Sequence, residues 1–363
     1  MNILINLKIL SGSVQFDAPD FFFNYIIKII EDHPEHEFFI IGGTHLSEIS
    51  LRNCTFLTAE PKSILFKKLW YDYKLPTIFK KFKIDVFVNL DNICSLKTKL
   101  PQLLLMPDIS SFLNSSKKNT IPFLEKASSI ISFSQTHKNE ICKKFNVAEN
   151  KITVIYIGPS QDFITLETTE TEDIKEKYAE GKEYFLFNGQ INSGNNLINL
   201  LKAFSFFKKR QKSNMQLVIC TKSVLPSNAF VESLKSYKYR NEVKLLVGLP
   251  QSEMVKITAS AYTLVFATNE NNNYLQLLQA MQSNVPAIVS NSLLMNEICG
   301  DAVLYTDPAV FENIADKMML LFKDENKRNE LIQNGKNQSA QYSAARTSEL
   351  LWQNIVKSIS TSY

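Results

Sequence analysis

The segment Ala267–Asn291 constrains the fold of this chain more than any other stretch. It contains the polar run Asn269–Asn273, in which no residue favours a strand. The following residues, Tyr274–Gln282, carry apolar side chains at helical spacing, and the short apolar run Val285–Val289 comes next. Another apolar run, Leu264–Ala267, precedes the polar one. The order strand, loop, helix, turn and strand predicts a right-handed crossover unit of a parallel sheet.

The polar loop of this crossover unit is a predicted ligand site. It leaves the carboxyl end of one strand and leads into the amino end of a helix. Parallel sheets bind anionic ligands at that edge, because the first backbone N–H groups of a helix are unpaired there. A solvated surface loop is the alternative interpretation of the same polar run.

Strands and helices alternate in the same way along both halves of the chain. The alternation begins with Asn2–Leu10, which is a predicted strand. The polar segment Ser160–Lys182, rich in Thr and Glu, is a predicted linker. A chain of 363 residues with this pattern predicts an α/β protein of two domains, residues 1–165 and 166–345, followed by a terminal helix at 346–363.

Charge and composition exclude several classes of protein. A net charge of +4 is too small to indicate nucleic-acid binding, and no basic stripe runs through both halves. The five cysteines lie far apart and the four histidines form no ligand pattern, so we expect free thiols in a reducing cytoplasm and no metal. The first strand, Met1–Leu10, is too polar for a signal peptide, and no apolar run approaches the length of a membrane span.

The segment Ala267–Asn291 also resembles a known signature. It is similar to the donor site of retaining glycosyltransferases of family 4 (group 1), which are two-domain GT-B enzymes that use sugar nucleotides. The residues that carry the resemblance are Ala280, Met281, Pro286, Val289 and Ser290. Further similarity covers nearly the whole chain and is strongest in three segments, Leu69–Asp108, Ser128–Gly158 and Pro286–Pro308.

The resemblance implies a GT-B fold, in which two Rossmann-like doubly wound parallel-sheet domains face each other across a cleft. It assigns the acceptor side to the first domain and the nucleotide-sugar side to the second. It also implies that the terminal helix crosses back to the first domain. The implied function lies in glycan or glycoprotein assembly, with a nucleotide sugar as ligand and no metal cofactor.

The residues that carry the chemistry in that family are replaced here. Its two glutamates, which accept hydrogen bonds from hydroxyls of the donor sugar and the ribose, correspond to Asn271 and Gln279. Two glycines of its loop correspond to Asn272 and Tyr274. Its histidine in the catalytic centre corresponds to Pro107, which has no side-chain donor.

The cations with which the family holds the diphosphate are also replaced. They follow the first strand of the second domain, where Gln190 and Asn195 stand after Gly189. Charge-assisted hydrogen bonds contribute roughly 1.5–3 kcal/mol each, so the loss of both weakens binding or rate by about a hundredfold to ten-thousandfold. Asp108 and Glu270 are candidate substitutes for the replaced groups. The predicted nucleotide-sugar pocket consists of Gly189, Gln190, Asn195, Asn272, Asn273, Tyr274 and Gln279.

Two functional hypotheses follow from these replacements. In the first, the chain is a catalytically impaired homologue that acts as a partner subunit of an active glycosyltransferase. In the second, it is an active retaining glycosyltransferase with an altered nucleotide-sugar site, where Lys222 supplies a new contact. A lysine at a strand end is commonly only solvated, so Lys222 does not decide between them. The sequence leaves open whether the chain is itself an enzyme.

The segment Phe66–Lys83 combines lysines with aromatic residues. This combination suits an anionic membrane surface or a protein partner, and it equally suits an amphipathic helix that covers the first domain. The expected protein partners are an active glycosyltransferase or a second copy of the chain. The expected location is the cytoplasm, with a peripheral contact to the inner face of the membrane. The residues predicted to make that contact are Phe66, Lys67, Lys68, Trp70, Tyr73, Lys80 and Lys81.

Overall fold

Short runs of apolar residues form the strands of two parallel sheets, one in each of two units. Unit 1 comprises Met1–Gly158 and Ala344–Tyr363, and unit 2 comprises Pro159–Ser343. The structure is a computed structural model, and it describes residues 1–7, 18–42, 51–58, 67–107, 113, 116–159, 165–222, 229–269 and 274–360.

The sheet of unit 1 has seven strands in the order β3-β2-β1-β4-β5-β6-β7, and every neighbouring pair is parallel. All five residues of β5 are buried, as expected of a parallel strand that helices cover on both faces. The strands are β1 (Asn2–Asn6), β2 (Glu37–Ile41), β3 (Cys54–Leu57), β4 (Val86–Asn89), β5 (Gln102–Met106), β6 (Ser129–Ser132) and β7 (Ile152–Val154).

The helices of unit 1 cover this sheet. A π-helical turn, Trp70–Lys74, lies between two of them, where the sequence predicts one continuous helix. The α-helices are α1 (Ala18–Asp32), α2 (Lys67–Leu69), α3 (Leu75–Lys81), α4 (Lys117–Lys126) and α5 (Gln135–Phe145), and the helix Ala344–Ser360 near the end of the chain also belongs to this unit.

The sheet of unit 2 has six strands in the order β10-β9-β8-β11-β12-β13, again all parallel. They are β8 (Tyr184–Asn188), β9 (Gln216–Thr221), β10 (Val243–Val247), β11 (Thr263–Phe266), β12 (Ala287–Ser290) and β13 (Leu304–Thr306). The helices are α6 (Thr168–Ala179), α7 (Leu197–Gln211), α8 (Ala229–Lys235), α9 (Gln251–Ala259), α10 (Leu275–Gln282), α11 (Leu293–Cys299), α12 (Phe311–Lys323) and α13 (Glu325–Ser339).

The C-terminal helix, α14 (Ala344–Ser360), packs against α1 of unit 1. The hydroxyl of Thr347 donates to the carbonyl oxygen of Tyr156 and accepts from the backbone N–H of Gly158, both at 3.0 Å. The ring of Trp352 stacks on that of His33 with 3.9 Å between centroids. All of these contacts join α14 to other residues of unit 1, so this helix is part of unit 1 although it follows unit 2 in the sequence.

The strand order of each sheet reverses once, and this places the candidate site. In unit 1 the reversal lies between β1 and β4, and in unit 2 between β8 and β11. Loops diverge at such a switch point and leave a crevice outside the carboxyl ends of the strands. The predicted fold of two doubly wound parallel sheets is therefore confirmed, and the loops after β8 and β11 stand at the switch point of unit 2.

Candidate functional site

Gly189 begins the loop after β8 and is held by close packing. Its backbone N–H donates to the carbonyl oxygen of Cys220 at 3.0 Å. A Cβ atom at this position would lie 3.1 Å from the Phe187 ring and 3.8 Å from the Phe266 ring. The two rings stack with their centroids 6.0 Å apart, so there is little room for a side chain beside them. The glycine thus lets the loop leave the sheet directly above this aromatic pair.

The next residues form a short turn that engages its own polar groups. The backbone N–H of Asn195 donates to Oδ1 of Asn192 at 2.9 Å, which caps a 3-10 turn. The side-chain Nδ2 of Asn195 donates to the backbone carbonyl of Gln190 at 2.6 Å. Gln190 and Asn195 therefore lie together in one turn, and both are half-buried. The Asn195 amide, however, hydrogen-bonds to the loop itself.

Asn196 joins three loops, a role that no sequence motif predicted. Its backbone is left-handed, with φ of 57°, a conformation that asparagine tolerates better than most residues. Its Nδ2 donates to the carbonyl oxygens of Ala267, at 3.1 Å, and Pro308, at 2.5 Å. The N–H of Asn269 adds a bond to the carbonyl oxygen of Gly194 at 2.8 Å. The loops after β8, β11 and β13 are thereby fixed to one another.

The two predicted pocket residues on the α10 side are both buried. Tyr274 directly precedes α10 and is 2% exposed, and its carbonyl oxygen accepts the N–H groups of Leu277 and Leu278 at 3.1 and 3.2 Å. Gln279 is 8% exposed within α10. Pro107 follows β5 in unit 1 and is half-buried. The remaining predicted positions lie outside the described residues: Asp108, Glu270, Asn271, Asn272 and Asn273.

The described loops at this switch point contain no charged side chain, whether in residues 189–196 or in 267–269. Their polar side chains are amides and hydroxyls, which donate and accept hydrogen bonds without charge. Such loops suit a ligand rich in hydroxyl groups but offer a diphosphate no cation of their own. Lys222, at the end of β9, is exposed and has interactions of its own, so it is not a spare cation.

Two other kinds of site are absent from the described part of the chain. No group of three or more His, Cys, Asp or Glu side chains there could hold a metal ion. Among the helices whose residues are described, none has the length and apolar character needed to cross a membrane.

A buried polar network lies at the switch point of unit 1, where no motif predicted one. Nδ2 of Asn6 donates to Oδ1 of Asn89 at 2.7 Å and to the Tyr71 hydroxyl at 3.1 Å. Nζ of Lys67 lies 2.8 Å from each carboxylate oxygen of Asp91, and the Tyr71 hydroxyl lies 3.2 Å from Oδ2. Burial raises the pKa of Tyr71, and it lowers the pKa of Lys67 against the opposing effect of the Asp91 carboxylate.

Two residues that the sequence assigned to a membrane contact are buried instead, so that part of the prediction is wrong. Lys67 is 5% exposed because its ammonium group pairs with Asp91. Trp70 is 9% exposed and meets the Tyr71 ring edge-on, with 5.1 Å between centroids. Phe66 lies outside the described residues. The exposed members of the predicted set are Lys68, Tyr73, Lys80 and Lys81.

Comparisons with known proteins agree with this architecture. Residues 168–338 match the family model described as glycosyl transferases group 1. The chain is 23% identical to O-antigen chain mannosyltransferase B of Escherichia coli over 221 residues, which cover 61% of this chain and 58% of the relative. It is 25% identical to O-antigen chain mannosyltransferase RfbU of Salmonella typhimurium over 186 residues, 51% of this chain and 48% of that one. The chain thus spans about half the length of these curated relatives.

One solved structure extends the similarity to the whole fold. A glycosyltransferase from Rickettsia africae superimposes with a TM-score of 0.77, at 17% identity, over 99% of this chain and 98% of that one. The two parallel sheets and this match define a protein of the GT-B class. Within it, residues 168–338 match the group 1 glycosyl transferases, so the resemblance that the sequence suggested is confirmed at this level.

Proposed function

We propose that this protein acts in the assembly of a bacterial cell-surface glycan and binds nucleotide sugars weakly when alone. The match of residues 168–338 to the group 1 family supports the first part, as do the two O-antigen mannosyltransferases to which the chain is similar. The observation that carries the second part is the neutral turn after β8. There, Nδ2 of Asn195 is engaged by the Gln190 carbonyl at 2.6 Å, in the loop where the resembling family places two cations.

The physical argument concerns the charge that builds up when a nucleotide sugar is cleaved. Expulsion of a diphosphate requires fixed positive groups, because its negative charge grows in the transition state. Gln190 and Asn195 supply neutral donors at most, and each lost charge-assisted bond costs roughly 1.5–3 kcal/mol. Two such losses amount to about a hundredfold to ten-thousandfold in binding or rate. Gln279, 8% exposed, is also uncharged where the family has a carboxylate.

The finer role that we propose is that of a partner subunit. A chain with a GT-B fold and impaired catalysis is most simply explained if it positions or stabilises an active glycosyltransferase. The competing function is an active retaining glycosyltransferase whose donor contacts have been rebuilt. It is favoured by the amide groups that remain at Gln190 and Gln279, because these can still hydrogen-bond sugar and ribose hydroxyls.

Restoring the missing charges tests the proposal directly. Gln190→Arg/Asn195→Lys is titrated calorimetrically with a panel of uridine, guanosine and adenosine diphosphate sugars, beside the wild-type protein. We expect affinity for at least one of them to rise at least tenfold over wild type. The matched control, Gln333→Arg/Asn337→Lys, makes the same two changes on the exposed face of α13, where neither side chain forms a hydrogen bond within the described residues. It should bind as wild type does.

Two results separate the competing roles. If the wild-type protein binds a nucleotide sugar with micromolar affinity and turns it over unaided, the partner role is wrong and the altered-donor enzyme takes its place. If the tagged protein purified from its native cells brings with it a second glycosyltransferase, and transfer activity requires that second chain, the partner role is supported.

A further inference from the structure

The segment Lys67–Lys81, made of α2, the π-helical turn and α3, has one buried side and one exposed side. The buried side carries Trp70, Tyr71, Leu75, Ile78 and Phe79, which pack with Phe87 and other core residues of unit 1. The opposite side, which we call the basic face, is made of Lys68, Leu69, Tyr73, Lys74, Lys80 and Lys81, continued by Lys83. All of these residues are exposed.

Two large apolar side chains of the basic face are exposed. Leu69 is 55% exposed and Tyr73 is 63% exposed, and they are among the most exposed large apolar residues of the described chain. They are four residues apart, which places them on adjacent turns of one helical surface. Burial of such a side chain in a second apolar environment is favourable, because it removes apolar surface from water.

The charge of the basic face has no ion-pair partner among the carboxylates that the structure describes. None of its five lysines forms an ion pair with any described residue. Asp72, the acidic residue within the segment, points to the other side: it is buried, and its Oδ1 accepts the backbone N–H of Leu96 at 2.8 Å. That bond ties the segment to a loop in which Lys97 and Lys99 are also exposed.

We propose that the basic face docks unit 1 onto an anionic lipid bilayer. The lysine ammonium groups lie at the level of the phosphates, and their aliphatic stems, with Leu69 and Tyr73, enter the boundary between headgroups and acyl chains. Tyrosine suits that boundary because its ring is apolar and its hydroxyl stays hydrated. A bilayer complements three properties of the face: its positive charge, the lack of ion pairs between its lysines and the described residues, and the exposure of Leu69 and Tyr73.

Lipid fits these observations better than nucleic acid or a protein. Nucleic acid would leave Leu69 without an apolar surface to cover it, and the bases would find one exposed ring to stack on rather than several. A protein partner would need a hydrophobic pocket surrounded by acidic groups. No feature of the described chain indicates a partner with such a pocket. The net charge of +4 is modest, so the concentration of unpaired lysines on one face is a local feature of unit 1.

Co-sedimentation with lipid vesicles tests the proposal on the full-length chain. We expect binding to vesicles of phosphatidylcholine with about one-third phosphatidylglycerol, and little binding to phosphatidylcholine alone. Each lysine near an anionic surface contributes about 1 kcal/mol, which is a factor of about five in affinity. Lys74→Glu/Lys80→Glu should therefore weaken binding by about 25-fold or more. Raising the salt from 0.1 to 0.5 M should weaken wild-type binding strongly.

A matched charge control and an apolar variant sharpen the test. Lys202→Glu/Lys209→Glu makes the same charge change on exposed positions of α7 in unit 2, and like the test variant it places one glutamate in the last turn of a helix. It should bind vesicles as wild type does. Leu69→Ser/Tyr73→Ser leaves the charge unchanged and should weaken binding about tenfold. Melting temperatures of all variants show that unit 1 remains folded.

Three outcomes would overturn the proposal. Vesicle binding that is equal in the wild type and the Lys74→Glu/Lys80→Glu variant would show that another surface touches lipid. Binding lost equally in the α7 control would show that net charge, not this face, controls it. Equal affinity for single-stranded RNA, unaffected by Leu69→Ser/Tyr73→Ser, would identify a general polyanion surface. No nucleotide sugar enters the assay, so its result is independent of the proposed glycan function.

Discussion

Removing the ammonium group of Lys67 should destabilise unit 1 far more than the loss of a surface charge. Its Nζ lies 2.8 Å from both carboxylate oxygens of Asp91, in a site where Lys67 is 5% and Asp91 0% exposed. Lys67→Met keeps most of the apolar stem and deletes the charge. The variant leaves the Asp91 carboxylate buried beside the Tyr71 hydroxyl, which is 3.2 Å away and cannot neutralise it.

The magnitude follows from the loss of one partner of a buried ion pair. Removing one partner of a buried ion pair typically costs about 3–5 kcal/mol, and the interactions that Asp91 keeps, among them the hydrogen bond from Tyr71, place this case at about 3 kcal/mol. For a unit of this size 1 kcal/mol corresponds to about 2–4 °C, so the melting temperature of unit 1 should fall by about 6–12 °C. Lys67→Met/Asp91→Asn should be less destabilised than Lys67→Met, because no charge is then left buried.

Tryptophan fluorescence in a urea titration measures this effect in unit 1 alone. The chain has two tryptophans, Trp70 and Trp352, and both belong to unit 1. The matched control is Lys68→Met, the same substitution at the exposed neighbouring residue, which should stay within about 0.5 kcal/mol of wild type. If Lys67→Met stays within about 1 kcal/mol of Lys68→Met, the pair is not the buried, charge-balanced contact described here and the reasoning fails.

Three further predictions concern acid stability, the loops of unit 2 and the thiols. The ammonium groups of Lys182 and Lys244 hold the pKa of Glu180 at about 2, below its usual 4.5. The stabilising effect of this carboxylate is therefore complete above pH 4.5 and is lost as the pH falls towards 2. In Glu180→Gln, the loss of stability between these pH values should be smaller than in the wild type when unfolding is followed by circular dichroism. Asn196→Ala removes the side-chain donor of the Ala267 carbonyl and one of the two donors of the Pro308 carbonyl, which keeps its bond from Asn199. It also strains a left-handed residue, and should lower the free energy of unfolding by about 2–4 kcal/mol in urea, more than Asn196→Gly. In the native protein, iodoacetamide should modify the half-buried thiols before the buried ones, and mass spectrometry can follow the order of modification. The reason is that burial raises the pKa of each buried thiol to about 12, so little reactive thiolate forms. The buried thiols are those of Cys94, Cys220 and Cys299.

The sheets were predictable because parallel strands leave a direct trace in the sequence. Because helices cover both faces of such a strand, nearly all of its residues are apolar, as in β2 and β4. The run before the polar loop and the run around Pro286 became β11 and β12, which pair in parallel. Local composition and short connections decide these elements, and both can be read without knowing what lies across the fold.

The buried side of Lys67–Lys81 could not be predicted, for two physical reasons. The partner of Lys67 is Asp91, whose carboxylate becomes a neighbour only when β4 joins the sheet. In addition, the π-helical turn Trp70–Lys74 changes which side chains share a face, and periodicity of an α-helix does not anticipate it. The sequence suggested a basic and aromatic surface, but it counted Lys67 and Trp70 as part of that surface when both are buried.

The loops around the candidate site are joined to one another by packing and by hydrogen bonds within the protein, and this bears on what their persistence means. Asn196 joins the loops after β8, β11 and β13, Gly189 fits against two stacked rings, and Asn195 closes its own turn. A chain can therefore keep the architecture of a nucleotide-sugar site after its charges are gone, because packing and neutral hydrogen bonds hold it. The fold alone is thus equally compatible with an active transferase and with an impaired one, and the binding and turnover measurements proposed above separate them.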